Sequence, residues 1–271
     1  MMIDQRTDLY GVVGFPLGHT LSPIMHNTAF EVAGVNGIYL AFETGDIEGC
    51  VKGMRSLGIK GMSVTLPFKS EVLPYLDDVD EMARKIGAVN TIVNNNGRLI
   101  GYNTDALGAL RALQDVVDLT GMGCLLLGAG GAARAIGFML KEEGVNLTIA
   151  NRSPDRGIEL ARSLQSPFVP LKDVRKIHED ILIQTTPVGM YPHTDQCPIP
   201  EHLLRDNIVV MDAIYNPIET RMLKLAKEHG CKTISGMSMF VHQGAEQFRL
   251  WTGLEPPLKE MISAVKEALG G

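Results

Sequence analysis

The chain has 271 residues, 45% of them hydrophobic and 21% charged, with a formal net charge of −6. That length favours two domains over one, the composition suits a globular protein with full cores, and the acidic balance argues against nucleic acid or an anionic membrane as main partner. Its four cysteines and seven histidines fall into no CxxC, HExxH or other paired-ligand spacing, so neither a disulfide frame nor a metal site is expected. No apolar signal core opens the sequence and no window approaches a membrane span, which predicts a cytoplasmic protein.

Residues 9–15, Leu-Tyr-Gly-Val-Val-Gly-Phe, predict a short strand that stops at Pro16. Ser22 before Pro23 predicts a helix start, with a capping hydroxyl and proline in the first turn, and the helix should run to about Gly34. A strand is expected over 38–42, a helix from Asp46 through Leu57 and a strand over 59–65. This β-α-β-α-β rhythm predicts an α/β domain with parallel strands and crossover helices. Two polar stretches follow that a packed core would not require. One is Ser63-Val-Thr-Leu-Pro-Phe-Lys69, which presents Thr65 and Lys69 where a strand ends. The other runs from Gly87-Ala-Val-Asn-Thr91 to Gly101-Tyr-Asn-Thr-Asp105, with strands over 89–93 and 99–102 joined by a turn at 94–97. Asp105 then opens a helix over 106–113. In open α/β sheets, ligand groups gather beyond the carboxyl ends of strands.

The stretch Cys124-Leu-Leu-Leu-Gly-Ala-Gly-Gly-Ala-Ala-Arg-Ala135 reads as a buried strand, a glycine turn and a helix reaching about Glu143. Gly128 permits the turn, Gly130 lets a diphosphate approach the backbone, and Ala133 takes the third position of G-x-G-x-x-G/A. The helix start would offer that diphosphate its free N–H groups and positive dipole end; an ordinary βα turn is the plain alternative. The next strand, 145–150, ends in Asn151-Arg152-Ser153 with Arg156 close behind. An acid there would take the ribose 2′-OH of NAD, whereas Arg and neutral donors suit the 2′-phosphate of NADP, so NADP is favoured. Further strands are expected over 180–184, 208–211 and 232–234. The turns after the first two, Thr185–Met190 and Asp212–Pro217, lie where a dinucleotide would cross the sheet edge. A helix over 236–251 places Phe240, Gly244, Phe248 and Trp251 on one face. Pro256-Pro257 ends it, and an amphipathic helix follows over 258–269.

These motifs, in this order, resemble those of the shikimate dehydrogenases and their shikimate/quinate relatives. They are His19-x-x-Ser-Pro-x-x-His-Asn27, Val64-Thr-Leu-Pro-Phe-Lys69, Gly87-Ala-Val-Asn-Thr91, Gly101-Tyr-Asn-Thr-Asp105, Gly128-Ala-Gly-Gly-Ala132, Asn151-Arg-Ser153, Thr185-Thr-Pro-x-Gly-Met190, Tyr215-Asn-Pro217 and Gln243-Gly-Ala245. The resemblance implies an N-terminal α/β substrate-binding domain over 1–105, completed by the C-terminal helix 252–271, and a Rossmann-type NADP-binding domain over 106–251, with a cleft between them. It implies NADPH-dependent reduction of 3-dehydroshikimate to shikimate, with Lys69 and Asp105 as the catalytic pair. By the same resemblance Thr20, Leu21, Ser22, Thr65, Asn90, Tyr215 and Gln243 contact substrate together with that pair. The cofactor falls to Gly128, Ala129, Gly130, Gly131 and Ala132, to Asn151, Arg152, Ser153, Pro154, Asp155 and Arg156, and to Ala213 and Gly236. The expected partner is a small molecule, with no nucleic acid and no membrane; a homodimer is left open.

Hydride arriving at a ketone carbon leaves an alkoxide, which needs a proton donor within hydrogen-bond reach. Lys69 suits that role. A carboxylate at Asp105 favours the charged lysine, so desolvation must offset it if the proton is to move; Asp105 is expected to orient Lys69 and grip a substrate hydroxyl. The short neutral groups Thr20, Ser22, Thr65, Asn90 and Gln243 suit a ligand with a carboxylate and several oxygens. Structural readings stand beside these: a Lys–Asp ion pair, N-capping by Ser22, turn formation by Asn90 and Thr91, loop packing by Tyr215. Thr20 stands where the family usually has Ser, and Ser63 where it often has Asn, which bears on shikimate against quinate. A shikimate/quinate dehydrogenase that accepts NAD is an alternative, opposed by Arg152 and the missing acid. A non-catalytic NADP-binding sensor is another, opposed by the retention of Lys69 and Asp105.

Overall fold

A computed structural model describes residues 3–18 and 20–270; His19, the first residue of one motif above, lies outside the described residues. The chain divides into two compact units, one built from the residues up to Thr104 and from Val241 onward, the other from Asp105–Phe240.

The first unit contains β1 (Asp8–Gly14), α1 (Ser22–Val32), β2 (Gly37–Glu43), α2 (Ile47–Ser56), β3 (Gly61–Val64), β4 (Asp78–Val79), α3 (Glu81–Ile86), β5 (Thr91–Asn95) and β6 (Arg98–Tyr102). Its sheet has the order β2-β1-β3-β5-β6-β4. β1 runs parallel to β2 and β3, as the alternating rhythm requires, but β5 is antiparallel to both β3 and β6, so the sheet is mixed. The reversal is local in origin. Asn95 pairs with Arg98, leaving Asn96 and Gly97 as a two-residue turn with φ of 53° and 91°. Positive φ at both positions matches the twist of the strands it joins. Helix α3 and the two-residue β4 were not expected. At six residues α3 is too short to show periodicity, although its boundaries are marked: Asp80 accepts from Met82 N–H, and Gly87 closes the helix at φ 73°.

Asp46 caps α2 as anticipated, accepting from Gly49 N–H at 2.8 Å. The N-capping read for Ser22 is corrected by the structure. The residue before α1 is Leu21, in helical conformation and without a side-chain cap. Thr20 Oγ1 accepts from Ser22 N–H at 3.3 Å, and Ser22 is buried at the first position of the helix. Proline at the helix start is enough to set the entry.

The second unit contains β7 (Gly123–Leu127), α5 (Gly131–Glu142), β8 (Asn146–Asn151), α6 (Pro154–Ser163), β9 (Phe168–Pro170), β10 (Ile181–Gln184), β11 (Val209–Asp212), α7 (Arg221–Glu228) and β12 (Lys232–Ile234), entered through α4 (Thr104–Gln114). Every neighbouring pair is parallel, in the order β12-β11-β10-β7-β8-β9. The order reverses between β7 and β10, which is the Rossmann arrangement with its crevice at that switch point. The central strands β7, β10 and β11 are buried on both faces, which is why they appear in the sequence as nearly unbroken apolar runs. Helices α6 and α7 and strand β9 add to the elements expected from the sequence. Gly157 on α6 has no room for a Cβ because the Phe168 ring of β9 fills the space.

Helix α8 (Gly236–Thr252) begins in the second unit and ends in the first, and α9 (Leu258–Ala268) packs against α1. The sequence reading assigned 241–251 to the second domain; in the structure those residues serve the first unit's sheet. Trp251 Nε1 donates to Ile92 O at 3.1 Å, and its indole occupies the space a Cβ on Gly61 would need. The indole also meets Tyr10 and His26 at ring distances of 5.5 and 5.1 Å. Burying an aromatic of this size is worth roughly 1.5–3 kcal/mol, so this end of α8 is bound firmly to the sheet.

Candidate active site

In the first unit the polar residues at the strand ends form one buried network. The backbone N–H of Thr104 lies 2.7 Å from Asn90 Oδ1. A backbone N–H can only donate, so it fixes which end of that amide is oxygen. Asn90 Nδ2 then donates to Thr104 Oγ1 at 3.0 Å and to Gln243 Oε1 at 3.4 Å, and Thr91 Oγ1 donates to Asn90 Oδ1 at 2.8 Å. Turn formation therefore does not account for Asn90. Its backbone is already spent in the sheet, with its carbonyl accepting from Val64 N–H, while its side chain is held for another purpose.

Thr65 and Lys69 follow β3. Thr65 N–H donates to Val13 O, its carbonyl accepts from Phe68 N–H, and Lys69 O accepts from Val89 N–H at 2.7 Å, so this turn is tied to β1 and to the segment that leads into Asn90. Lys69 is partly buried. Asp105 lies in the first turn of α4, where a carboxylate is favoured by the helix dipole, and directly follows Thr104 with its two links to Asn90. Thr20 and Leu21 precede α1 and are half-buried, whereas Ser22 is buried. Tyr215 belongs to the second unit, where its ring stacks on Phe240 with centroids 5.1 Å apart and burial raises its phenol above the usual range.

The second unit builds its strand ends from backbone. Gly128 has φ 118°, and a Cβ there would overlap Thr185 Oγ1, which itself donates to Leu127 O at 2.7 Å. Two independent constraints therefore demand glycine at this position. A Cβ on Gly130 or Gly131 would meet only open space, so packing does not require glycine at either. Helix α5 starts at Gly131, before Ala132, with no side-chain cap, and Ala133 beneath it is fully buried. At the end of β8, Asn151 Nδ2 donates to Ser153 O at 2.9 Å. Ser153 precedes α6 without capping it, and Pro154 and Asp155 form the first turn. Arg152 and Arg156 are exposed and have no hydrogen-bond or ion-pair partner among the described residues. Ala213 N–H is held by Gln184 O, and Gly236 N–H by Ile214 O; a Cβ on Gly236 would strike the 213–214 backbone.

Some of the residues that order the site were not singled out from the sequence. Gln184 and Asp212 are register partners at the ends of β10 and β11, both fully buried. Gln184 accepts from Thr186 N–H and donates to Val188 O; Asp212 accepts from Ile214 N–H at 3.0 Å and from Thr220 Oγ1 at 2.7 Å, closing the loop between them. Burial without a cation pushes the Asp212 carboxyl up to about 6. In the first unit His26 is fully buried, stacked on Tyr39 with ring centroids 4.5 Å apart, and burial pushes it down to about 4. The available signal was a lone polar residue closing an apolar run, as in Ile181-Leu-Ile-Gln184 and Val209-Val-Met-Asp212.

Three family models match the chain in succession: the shikimate dehydrogenase substrate-binding domain over residues 12–92, shikimate/quinate 5-dehydrogenase over 110–190, and the shikimate 5′-dehydrogenase C-terminal domain over 236–266. The NADP(+) shikimate dehydrogenase of Bacillus cereus strain G9842 is 48% identical over 274 residues, covering 97% of this chain and 99% of its own. The chain belongs to the shikimate dehydrogenase family. The fold agrees with solved members. A shikimate dehydrogenase crystallised with NADP+ matches with a TM-score of 0.95 at 41% identity, over 99% of this chain and 98% of its own. The Thermus thermophilus shikimate dehydrogenase in complex with NADP(H) and shikimate matches at 0.91 and 40% identity, over 97% and 100%. For a member of this family, the second unit's donor set fits a phosphorylated dinucleotide. The open space over Gly130 and Gly131 and the uncapped start of α5 leave N–H groups for a diphosphate. The unpaired Arg152 and Arg156 beside uncapped Ser153 supply cations and a hydroxyl, with no acid where a ribose 2′-OH would be read. Among the described residues no cluster of His, Cys, Asp or Glu could hold a metal ion, and no helix is long and apolar enough to cross a membrane.

Proposed function

We infer that this protein is an NADP-dependent shikimate dehydrogenase, which reduces 3-dehydroshikimate reversibly to shikimate in aromatic amino-acid biosynthesis. The observation that carries the reading is the end of β8, where two unpaired arginines and an uncapped serine stand in a chain 48% identical to an NADP(+) shikimate dehydrogenase.

The bound NADPH supplies the hydride. The chain must then hold the substrate and handle one proton. Lys69 gives that proton to the alkoxide oxygen as it forms at the reduced carbon, and takes it back in the reverse direction. Asp105 holds a neighbouring hydroxyl and orients Lys69. Thr20, Ser22, Thr65, Asn90 and Gln243 orient the remaining oxygens, with Tyr215 from the second unit. Neutral hydroxyls and amides suit this, because a site that hydrogen-bonds a hydroxyl rejects analogues lacking it by about 10⁴–10⁵. Four free thiols suit a reducing compartment, and we place the activity in the cytoplasm.

The test is a steady-state assay of the four combinations of shikimate or quinate with NADP+ or NAD+, together with 3-dehydroshikimate and NADPH in the forward direction. Shikimate with NADP+ should give the highest kcat/KM. Equal or better turnover with NAD+ or with quinate would overturn the specificity, and no turnover with any pair would leave a nucleotide-binding sensor.

A further inference from the structure

Gln247 belongs to no motif singled out in the sequence, yet its side chain makes four hydrogen bonds in the first unit's network. It lies one helical turn beyond Gln243 on α8 and is almost fully buried, with 1% exposure. Its Nε2 donates to Asn90 O at 3.4 Å and to Thr91 Oγ1 at 2.9 Å. A carbonyl only accepts, so this end is nitrogen and the other is oxygen. Gln247 Oε1 therefore accepts, from Ser63 Oγ at 2.9 Å and from His26 Nε2 at 3.1 Å. His26 must carry its proton on Nε2, which leaves Nδ1 a bare lone pair; that atom is buried with no partner among the described residues. Ser63, having given its hydrogen to Gln247, accepts from the Tyr39 hydroxyl at 2.6 Å. One amide thus uses both donors and both lone pairs, and every proton in the cluster follows from it.

Its bonds reach three elements: α1 through His26, β3 through Ser63, and the start of β5 through Asn90 and Thr91. Each of the three also carries a group proposed to bind substrate, namely Ser22 one turn before His26, Thr65 directly after β3, and Asn90. We propose that Gln247 is the positioning residue of the substrate site: its amide holds these three elements at the required spacing and, through Thr91, braces the Asn90 amide that Thr104 N–H orients. Ser63 acquires a role in the same step. Its hydroxyl is spent inward on Gln247 and Tyr39, so its place in the site is to support Gln247, and substrate preference is left to the residues above it.

This inference rests on the dehydrogenase reading, so wild-type turnover of 3-dehydroshikimate with NADPH is measured first; its absence would sink that reading whatever the variants do. With turnover established, kinetics and thermal melting are compared for Q247M, T91V and the double variant in the full chain. Q247M keeps the volume and removes all four bonds; T91V is close to isosteric and cuts only the route through Thr91 to the Asn90 amide, leaving the bond to Asn90 O. Q247M should raise KM for 3-dehydroshikimate and lower kcat, each about tenfold or more. KM for NADPH should stay within about twofold, since the groups assigned to the cofactor lie in the other unit. T91V should change kcat/KM for 3-dehydroshikimate in the same direction by a smaller factor, and the double variant should be no worse than Q247M, because the two substitutions break one chain. Wild-type kinetics in Q247M, an equal rise in both KM values, or independent multiplication of the two effects would each overturn the proposal. If Q247M does not fold, T91V decides alone: unchanged kcat/KM for 3-dehydroshikimate refutes the role.

Discussion

In the first unit, the polar atoms beyond the strand ends are side chains bonded to other side chains, with Asn90, Thr91, Thr104, Gln243 and Gln247 fixing one another inside the protein. In the second unit they belong mainly to the backbone: a glycine turn, two helix starts without side-chain caps, and loops tied down by Gln184 and Asp212. The difference follows from what each proposed ligand presents. A ring bearing several hydroxyls has to be read direction by direction, which needs amides and hydroxyls whose own orientation is settled. A diphosphate needs charge and N–H groups at close range, which a bare backbone supplies once side chains are cleared away. Substitutions in the first unit should therefore act on the reacting centre, and substitutions in the second on cofactor affinity.

The sharpest division is at Lys69. Replacing it with alanine should lower kcat by about 10²–10⁴ while NADPH affinity, measured by fluorescence titration, remains that of wild type; near-normal turnover would move the proton donor elsewhere. At the other end of the comparison, Arg152→Ala should weaken NADPH by roughly tenfold to a hundredfold, the value of one or two charge-assisted hydrogen bonds, and leave NADH kinetics and KM for 3-dehydroshikimate unchanged. A parallel loss with NADH would mean that Arg152 does not read the 2′-phosphate. Gly128→Ala should be felt in both affinity and stability, at about 1–3 kcal/mol, because the added carbon meets Thr185 and the backbone holds φ 118°. A variant with unaltered melting temperature and cofactor affinity would refute that account.

These regions were not equally legible in the sequence. The Rossmann half announced itself through glycine, because a positive φ and a close approach admit almost no other residue, and through apolar runs buried on both faces. The first unit showed its ligand groups but not what supports them. Asn90 and Gln243 carry an expected role, His26 and Thr104 stand inside quoted motifs without one, and Gln247 looks in sequence like an ordinary polar residue on a helix; only the fold brings residues 26, 63, 90 and 247 together. Ser22 was misread for a related reason. A serine before proline is a sound local signal for a cap, but the helix begins at Ser22 itself, with Leu21 in the cap position and Ser22 buried. The short helix α3 was missed because six residues carry no period, even with Asp80 and Gly87 at its ends.

The two units also differ in how each should respond to acid, and this is the smallest effect expected. His26 is pushed down to about 4 from 6.5, so its contribution to stability is complete above about pH 6.5 and is lost as pH falls toward 4, when the unfolded chain takes up a proton that the folded one refuses. Asp212 is pushed up to about 6 from 3.8, so its contribution is complete below about pH 3.8 and is lost as pH rises through 6, when a buried carboxyl must ionise with only a hydroxyl and an N–H to receive the charge. The slopes oppose each other over the same window, each worth at most about 2–3 kcal/mol, and they partly cancel in the wild type. Single variants should separate them. Relative to wild type, His26→Gln should gain stability as pH is lowered from 7 to 4, and Asp212→Asn should gain as pH is raised over that range. Melting temperatures of the three proteins at half-unit intervals provide the comparison. Slopes of the same sign would mean that one of these groups is hydrated or paired in solution, and the contrast between a network closed on itself and a carboxylate left to hold a loop would not hold.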